Sequence, residues 1–209
     1  MLFGGFLRAF WLSVILGGTI QLAWGQVIIN ELVATSSDRL LQRVPGAYPR
    51  VGNTTPWQDI AYDDSRWGLA AGPFGFGTFS GVTIATDLAA QLQYRAASLY
   101  LRKTFVATPE QAASGAAMEL RVRYNDGFIA FLNGVEIARR NMGNPGMFAF
   151  HDQDALNPNL NTLNMETIPV GNANTRLVAG DNVLCLQVHN HSASGANFLI
   201  QADLQMAGG

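Results

Sequence analysis

The side chains whose type and spacing could do chemistry are carboxylates, amides and imidazoles. Asp63 and Asp64 are adjacent, and Asn125 and Asp126 form a second short oxygen pair. Such oxygens, with backbone carbonyls, suit calcium, so Asp63, Asp64, Asn125 and Asp126 are the candidate ligands of a structural Ca2+. A glycoside hydrolase needs two carboxyl groups about 5 to 9.5 Å apart across its substrate. Adjacent aspartates on an extended segment face opposite ways. Asp126, Glu136, Asp152 and Asp154 could partner them only through the tertiary fold. His189-Asn190-His191 sets two imidazoles on one side of a strand, with His151 in a distant loop. Zinc or copper could use these nitrogens, but no third ligand stands at diagnostic spacing, and histidines hydrogen-bonded at a strand end are the simpler reading. Gly-x-Ser-x-Gly is absent, and the glycines of 72–77 lack the Lys-Ser/Thr ending of a phosphate loop. No catalytic residue is assigned, and no cofactor beyond the calcium.

Carbohydrate recognition would need an aromatic platform beside polar groups, because rings stack on sugar C–H faces while hydroxyls take planar hydrogen bonds. Phe76, Phe79, Tyr94, Phe148 and Phe150 fall in segments read as loops, with Arg139, Arg140, Asn141 and His151 as polar neighbours. The candidate binding set is Phe76, Tyr94, Arg139, Asn141, Phe148 and His151. The competing reading is that the rings plug the ends of the fold.

The elements that must position these residues are strands. In 124–140, Asn125-Asp126-Gly127 and Asn133-Gly134 supply the positive φ of tight turns, and 128–132 is apolar without a break. This reads as strand, turn, strand, turn, strand, a meander whose middle member is covered on both faces. Residues 118–124 alternate apolar and polar, the period of a half-buried strand. Further strands are expected at 26–34, 40–44, 99–106, 166–170, 183–190 and 198–206. Segment 87–97 reads as a helical turn or two, 108–117 as one opened by Pro109, and 68–77 as an ordered glycine-rich loop. Residues 141–164, rich in Asn, Pro and Gly, form a long loop of the kind that is usually functional or mobile. About eight strands without alternating helices predict an all-β fold, a two-sheet antiparallel β-sandwich of jelly-roll type.

The N-terminus carries Arg8, an apolar run over 9–22 and the small residues of Ala23-Trp24-Gly25, the layout of a cleaved signal peptide over 1–25. The run is short for a membrane span. The expected location is therefore secreted, extracellular or periplasmic, with no membrane association after cleavage. Removing 25 of the 209 residues leaves 184, enough for one core. Residues 26–56 read as an N-terminal strand and lead-in and 57–209 as the sandwich, with 26–209 one folded unit. Thirteen basic and fifteen acidic side chains give a net charge of −2, without the basic stripe that nucleic acid requires. The single Cys185, set among Val183, Leu184 and Leu186, reads as a buried apolar residue.

Several segments together are similar to the galactose-binding-domain-like jelly roll found in β-galactosidase-type glycosidases and in large secreted bacterial proteins. They are Tyr62-Asp63-Asp64-Ser65-Arg66-Trp67, Gly72-Pro73-Phe74-Gly75-Phe76-Gly77, Leu99-Tyr100-Leu101-Arg102-Lys103-Thr104-Phe105, Asn125-Asp126-Gly127 through Glu136, and Gly180-Asp181-Asn182 through Asn190. The resemblance spans about 57–206. It implies a non-catalytic module, often with a structural calcium, that binds glycan or is accessory to neighbouring domains of a longer extracellular protein. The alternatives are a structural or adhesive spacer without a small ligand, and a glycoside hydrolase.

Overall fold

The computed structural model describes residues 55–65, 67–159 and 164–206, together with the backbone of three short strands before them. Apart from its Ile20–Gln21 strand, the expected signal peptide lies outside the described residues, as do the strand at 40–44 and most of the lead-in.

Twelve strands are described: β1 Ile20–Gln21, β2 Gln26–Ile28, β3 Leu32–Thr35, β4 Phe74–Phe76, β5 Thr86–Asp87, β6 Ser98–Ala107, β7 Ala117–Asn125, β8 Gly127–Leu132, β9 Val135–Arg140, β10 Glu166–Asn172, β11 Gly180–His189 and β12 Phe198–Met206. Three single-turn helices join them: α1 Ala89–Leu92, α2 Pro109–Ala113 and α3 Ala173–Arg176. One sheet has the order β1-β6-β11-β8-β9, with β3 also on β6. The other has the order β10-β7-β12-β4-β5, with β2 also on β12. Pairing is antiparallel except at β1–β6 and β4–β5. The all-β sandwich expected from the sequence is the observed architecture.

Local chemistry explains most elements. In α2 the Thr108 side chain accepts from Gln111 N–H while Gln111 returns a bond to the Thr108 N–H, a capping box with Pro109 in the first turn. Asn133 and Gly134 hold φ of 51° and 81° between β8 and β9, as a two-residue hairpin requires. The Asn133 side chain reinforces that turn, accepting from Val183 N–H and donating to the Arg176 carbonyl and Asn182 Oδ1.

Three expectations are corrected. The segment 26–34 is not one strand: β2 pairs with β12 and β3 with β6, in opposite sheets. The glycine-rich 68–77 is not all loop, because β4 runs through it, pairs with β12 and is buried. Asn125-Asp126-Gly127 is not a hairpin turn: β7 lies in one sheet and β8 in the other, so the chain crosses the sandwich there. A crossing and a hairpin use the same turn-forming residues, so composition alone does not separate them.

The crossing explains the unbroken apolar run. Phe128, Ala130 and Leu132 face the core between the sheets, with Leu101, Phe105, Leu120, Leu186 and Ile200. Ile129 and Phe131 face outward and are buried by a layer of loops carrying Trp57, Trp67, Met142, Ala149 and Ala155. Trp57 anchors this layer, edge-on to Tyr100 at 5.0 Å and to Phe131 at 5.8 Å. Burying an indole removes about 200 Å² from water, worth on the order of 5 kcal/mol.

Candidate binding site

At one end of the sandwich the β7–β8 crossing, the loop 141–159 and the loop after β11 are joined by Asp126. Its Oδ1 accepts from Asn159 N–H at 2.7 Å and its Oδ2 from His191 N–H at 2.8 Å. Its carbonyl accepts from Asn141 Nδ2 at 3.1 Å. Asn125 Nδ2 donates to the Asn159 carbonyl at 2.8 Å, and Asn159 Nδ2 donates to the Tyr124 carbonyl at 3.0 Å. Asn141 Nδ2 also donates to the Asn157 carbonyl.

This network borders a notch. The pairing of β10 with β7 ends at Glu166 opposite Val122, so β7 runs on through 123–125 without a β10 partner, and Asn159 takes that place. Two adjoining hollows result. One, of about 270 Å³, is lined by Arg123, Tyr124, Asn159, Asn164, Met165 and Glu166. The other, of about 250 Å³, is lined by Tyr124, Asp126, Asn141, Asn157, Pro158 and Asn159. Tyr124 and Asn159 border both. The Tyr124 ring packs edge-on against Phe128 at 4.8 Å, and its hydroxyl points at Glu166 Oε2 at 3.4 Å. Burial raises the Tyr124 pKa and the Glu166 carboxylate raises it further, so the hydroxyl is a neutral donor at ordinary pH. Glu166 Oε1 accepts from Arg140 Nε at 2.8 Å and Nη2 at 2.6 Å. The exposed side chains of Asn157 and Asn164 hold no hydrogen bond to described residues. The cleft therefore offers amide donors and acceptors, one phenol, the Arg140–Glu166 ion pair, the Arg123 guanidinium and the Asp126 carboxylate, groups that hydrogen-bond a hydroxyl-rich ligand.

The residues singled out in the sequence are distributed unevenly around this site. Asn141 borders it. Arg139 is turned inward: it holds Glu136 through Nε at 3.0 Å and Nη2 at 2.8 Å, and donates to the carbonyls of Met142 and Met147. Burial opposes ionisation of Glu136, but Arg139 and the Gly146 N–H outweigh it and hold its pKa below normal. Arg139 is thus an organiser of the loop and not a free ligand partner. Phe76 is also corrected. It lies in β4, 3% exposed and stacked on Phe198 at 6.2 Å, so its ring belongs to the core. Tyr94 is 75% exposed on the loop before β6, and its N–H donates to the Ala193 carbonyl. Phe148 and Phe150, 42% and 48% exposed, meet edge-on at 4.8 Å on loop 141–159. The His151 carbonyl accepts from Ser98 Oγ, and its half-buried ring keeps Nδ1 out of water.

The four oxygen-bearing residues proposed for calcium do not converge. Asp64 pairs with Arg102 at 2.9 Å beside Cys185, and Asp63 accepts from Ser65 N–H. Asn125 and Asp126 sit beyond His189, four residues and about 13 Å further along β11. Among the described residues no three His, Cys, Asp or Glu side chains stand close enough to hold a metal ion. The histidines behave as hydrogen-bonding groups: His189 Nδ1 meets the Gln153 carbonyl at 2.6 Å and His191 Nδ1 the Ala155 carbonyl at 2.9 Å.

Sequence reading missed Tyr124, Asn157, Asn159, Asn164 and Glu166 as site residues. The available signal was the density of asparagine in 141–164, noted there only as loop composition.

No family model matches the chain, and no curated protein does. Among solved structures it is similar to a glycosyl hydrolase family 2 member from Bacteroides cellulosilyticus, at 12% identity and a TM-score of 0.47, over 87% of this chain and 20% of that one. It is similar to a β-glucuronidase from Bacteroides uniformis at 14% identity and a TM-score of 0.46, over 86% and 17%. A β-glucuronidase from Ruminococcus gnavus matches at 11% identity and a TM-score of 0.43, over 83% and 23%. The chain spans about a fifth of the length of these proteins.

Proposed function

We propose that the protein is a non-catalytic β-sandwich module that binds carbohydrate, as an accessory part of a larger extracellular protein. The observation that carries this reading is the notch beside β7, where Tyr124 and four asparagines border a polar cleft. Planar amides and a neutral phenol match the paired hydroxyls of a sugar. The non-catalytic part of the reading is supported by the carboxylates bordering the cleft: both Asp126 oxygens accept from backbone N–H groups, and Glu166 is paired with Arg140. The test is retention of the protein on an array of neutral oligosaccharides, repeated with Asn157→Ala and Asn164→Ala. Neither exposed side chain bonds to the described residues, so the expected result is retained stability with binding weakened about tenfold, the loss of one or two hydrogen bonds to ligand. Absence of binding to any glycan would refute the reading.

A second reading, a module that packs beside a neighbouring domain, is favoured by the exposed Met147, Phe148 and Phe150 on one loop. It predicts an unchanged glycan profile and a soluble complex with the adjoining domain that Phe148→Ser weakens.

A further inference from the structure

The outer face of β11 and β6 presents a polar row at one end. Gln187, Ser98 and His189 are all fully buried, and each reaches the same overlying segment. Gln187 Nε2 donates to the Ala149 carbonyl, Ser98 Oγ to the His151 carbonyl, and His189 Nδ1 to the Gln153 carbonyl. Alternate carbonyls of 149–153 are thus held by three side chains in register. Two further bonds close the strap, from Ala155 N–H to the Asn190 carbonyl and from Leu156 N–H to the Asn141 carbonyl. Its inner residues Ala149 and Ala155 pack on the outer apolar layer, while Phe148 and Phe150 point to solvent.

We infer that the strap 147–156 is an acid-released latch, closed while His189 is neutral. A carbonyl acceptor at Nδ1 fixes the neutral tautomer with its proton there. Nε2 then carries the lone pair, buried and without a partner. A proton taken up at Nε2 would create a cationic N–H with no acceptor in a dry site. The groups facing it do not offset burial: the Gln153 carbonyl and Asp152 favour the charge, while Arg139 from β9 and His151 from the strap oppose it. Burial is the largest cause, and together these hold the His189 pKa down at about 4 from the ordinary 6.5. Because the closed-state value is depressed, the contribution to closure is complete above about pH 6.5 and is lost as pH falls towards 4. Lifting the strap lets water reach the imidazolium, so opening takes up one proton.

The test is amide hydrogen exchange of the full chain at pH 7 and pH 5, corrected for intrinsic rates. Opening of the strap should rise about 20-fold between those pH values, the ratio set by the two protonation equilibria. The reporters are the Ala155 and Leu156 amides, with Leu186 and Ala202 in the central strands unchanged. His189→Gln keeps a donor towards Gln153 and should flatten the dependence, whereas His191→Gln should leave it in place. Should His189→Gln fail to fold, the imidazole resonances of His189 in the unmodified protein give the same answer, titrating together with strap opening. Strap exchange independent of pH, an unchanged dependence in folded His189→Gln, or opening of the strap only together with β11 and β12 would each overturn the inference.

Discussion

Replacement of Arg102 by methionine tests whether one buried guanidinium holds the outer loop layer in place. Arg102 projects from the outer face of β6, fully buried, opposite Cys185. Its Nε donates to Asp64 Oδ2 at 2.9 Å, and its Nη1 to the carbonyls of Trp57 and Asp59. The guanidinium also lies 5.1 Å from the centre of the Tyr62 ring. Methionine fills similar volume, so the loss is that of the polar contacts. Breaking a buried ion pair costs about 3–5 kcal/mol. Asp64 is a quarter exposed and can rehydrate, which places the expected loss at the lower end, about 3 kcal/mol. Asp64→Ala leaves Arg102 its two carbonyls and should cost less, about 1–2 kcal/mol. Urea unfolding followed by tryptophan fluorescence suits the question, because Trp57 and Trp67 both lie in this layer. The double variant should show a coupling of at least about 1 kcal/mol. A loss of under about 0.5 kcal/mol for Arg102→Met, within the range of an ordinary surface substitution, would refute the anchoring argument.

Other consequences are equally direct. Gly75 has φ of +154°, and a Cβ there would stand 2.0 Å from the Phe198 carbonyl oxygen, so Gly75→Ala should lose on the order of 3 kcal/mol in thermal unfolding. Gly81→Ala, with φ of +71° and open space around it, should lose only about 1 kcal/mol, and equal losses at the two positions would contradict the steric account. Burial pushes the Cys185 thiol up to about 12, despite the opposing effect of Arg102. Its labelling by a thiol reagent at pH 8 should therefore follow the unfolding rate, and rapid stoichiometric labelling of the native protein would exclude the burial described.

What was legible in the sequence was local. Period-two alternation fixed the inward face of β7, the unbroken apolar run marked β8 as covered on both sides, and Asn133-Gly134 announced a tight turn. Pro109 marked the start of α2. These signals survive because each depends on the period of the backbone or on the conformational range of one residue. Tertiary structure alone decided which sheet each strand joined. It divided 26–34 between the two sheets, recruited Phe76 to the core, and turned Asn125-Asp126-Gly127 into a crossing. It also made the cleft, because Tyr124 meets Asn159 only where β10 stops short of the end of β7. Pairing between distant segments is set by the packing of all their faces at once, and no window of sequence contains that information.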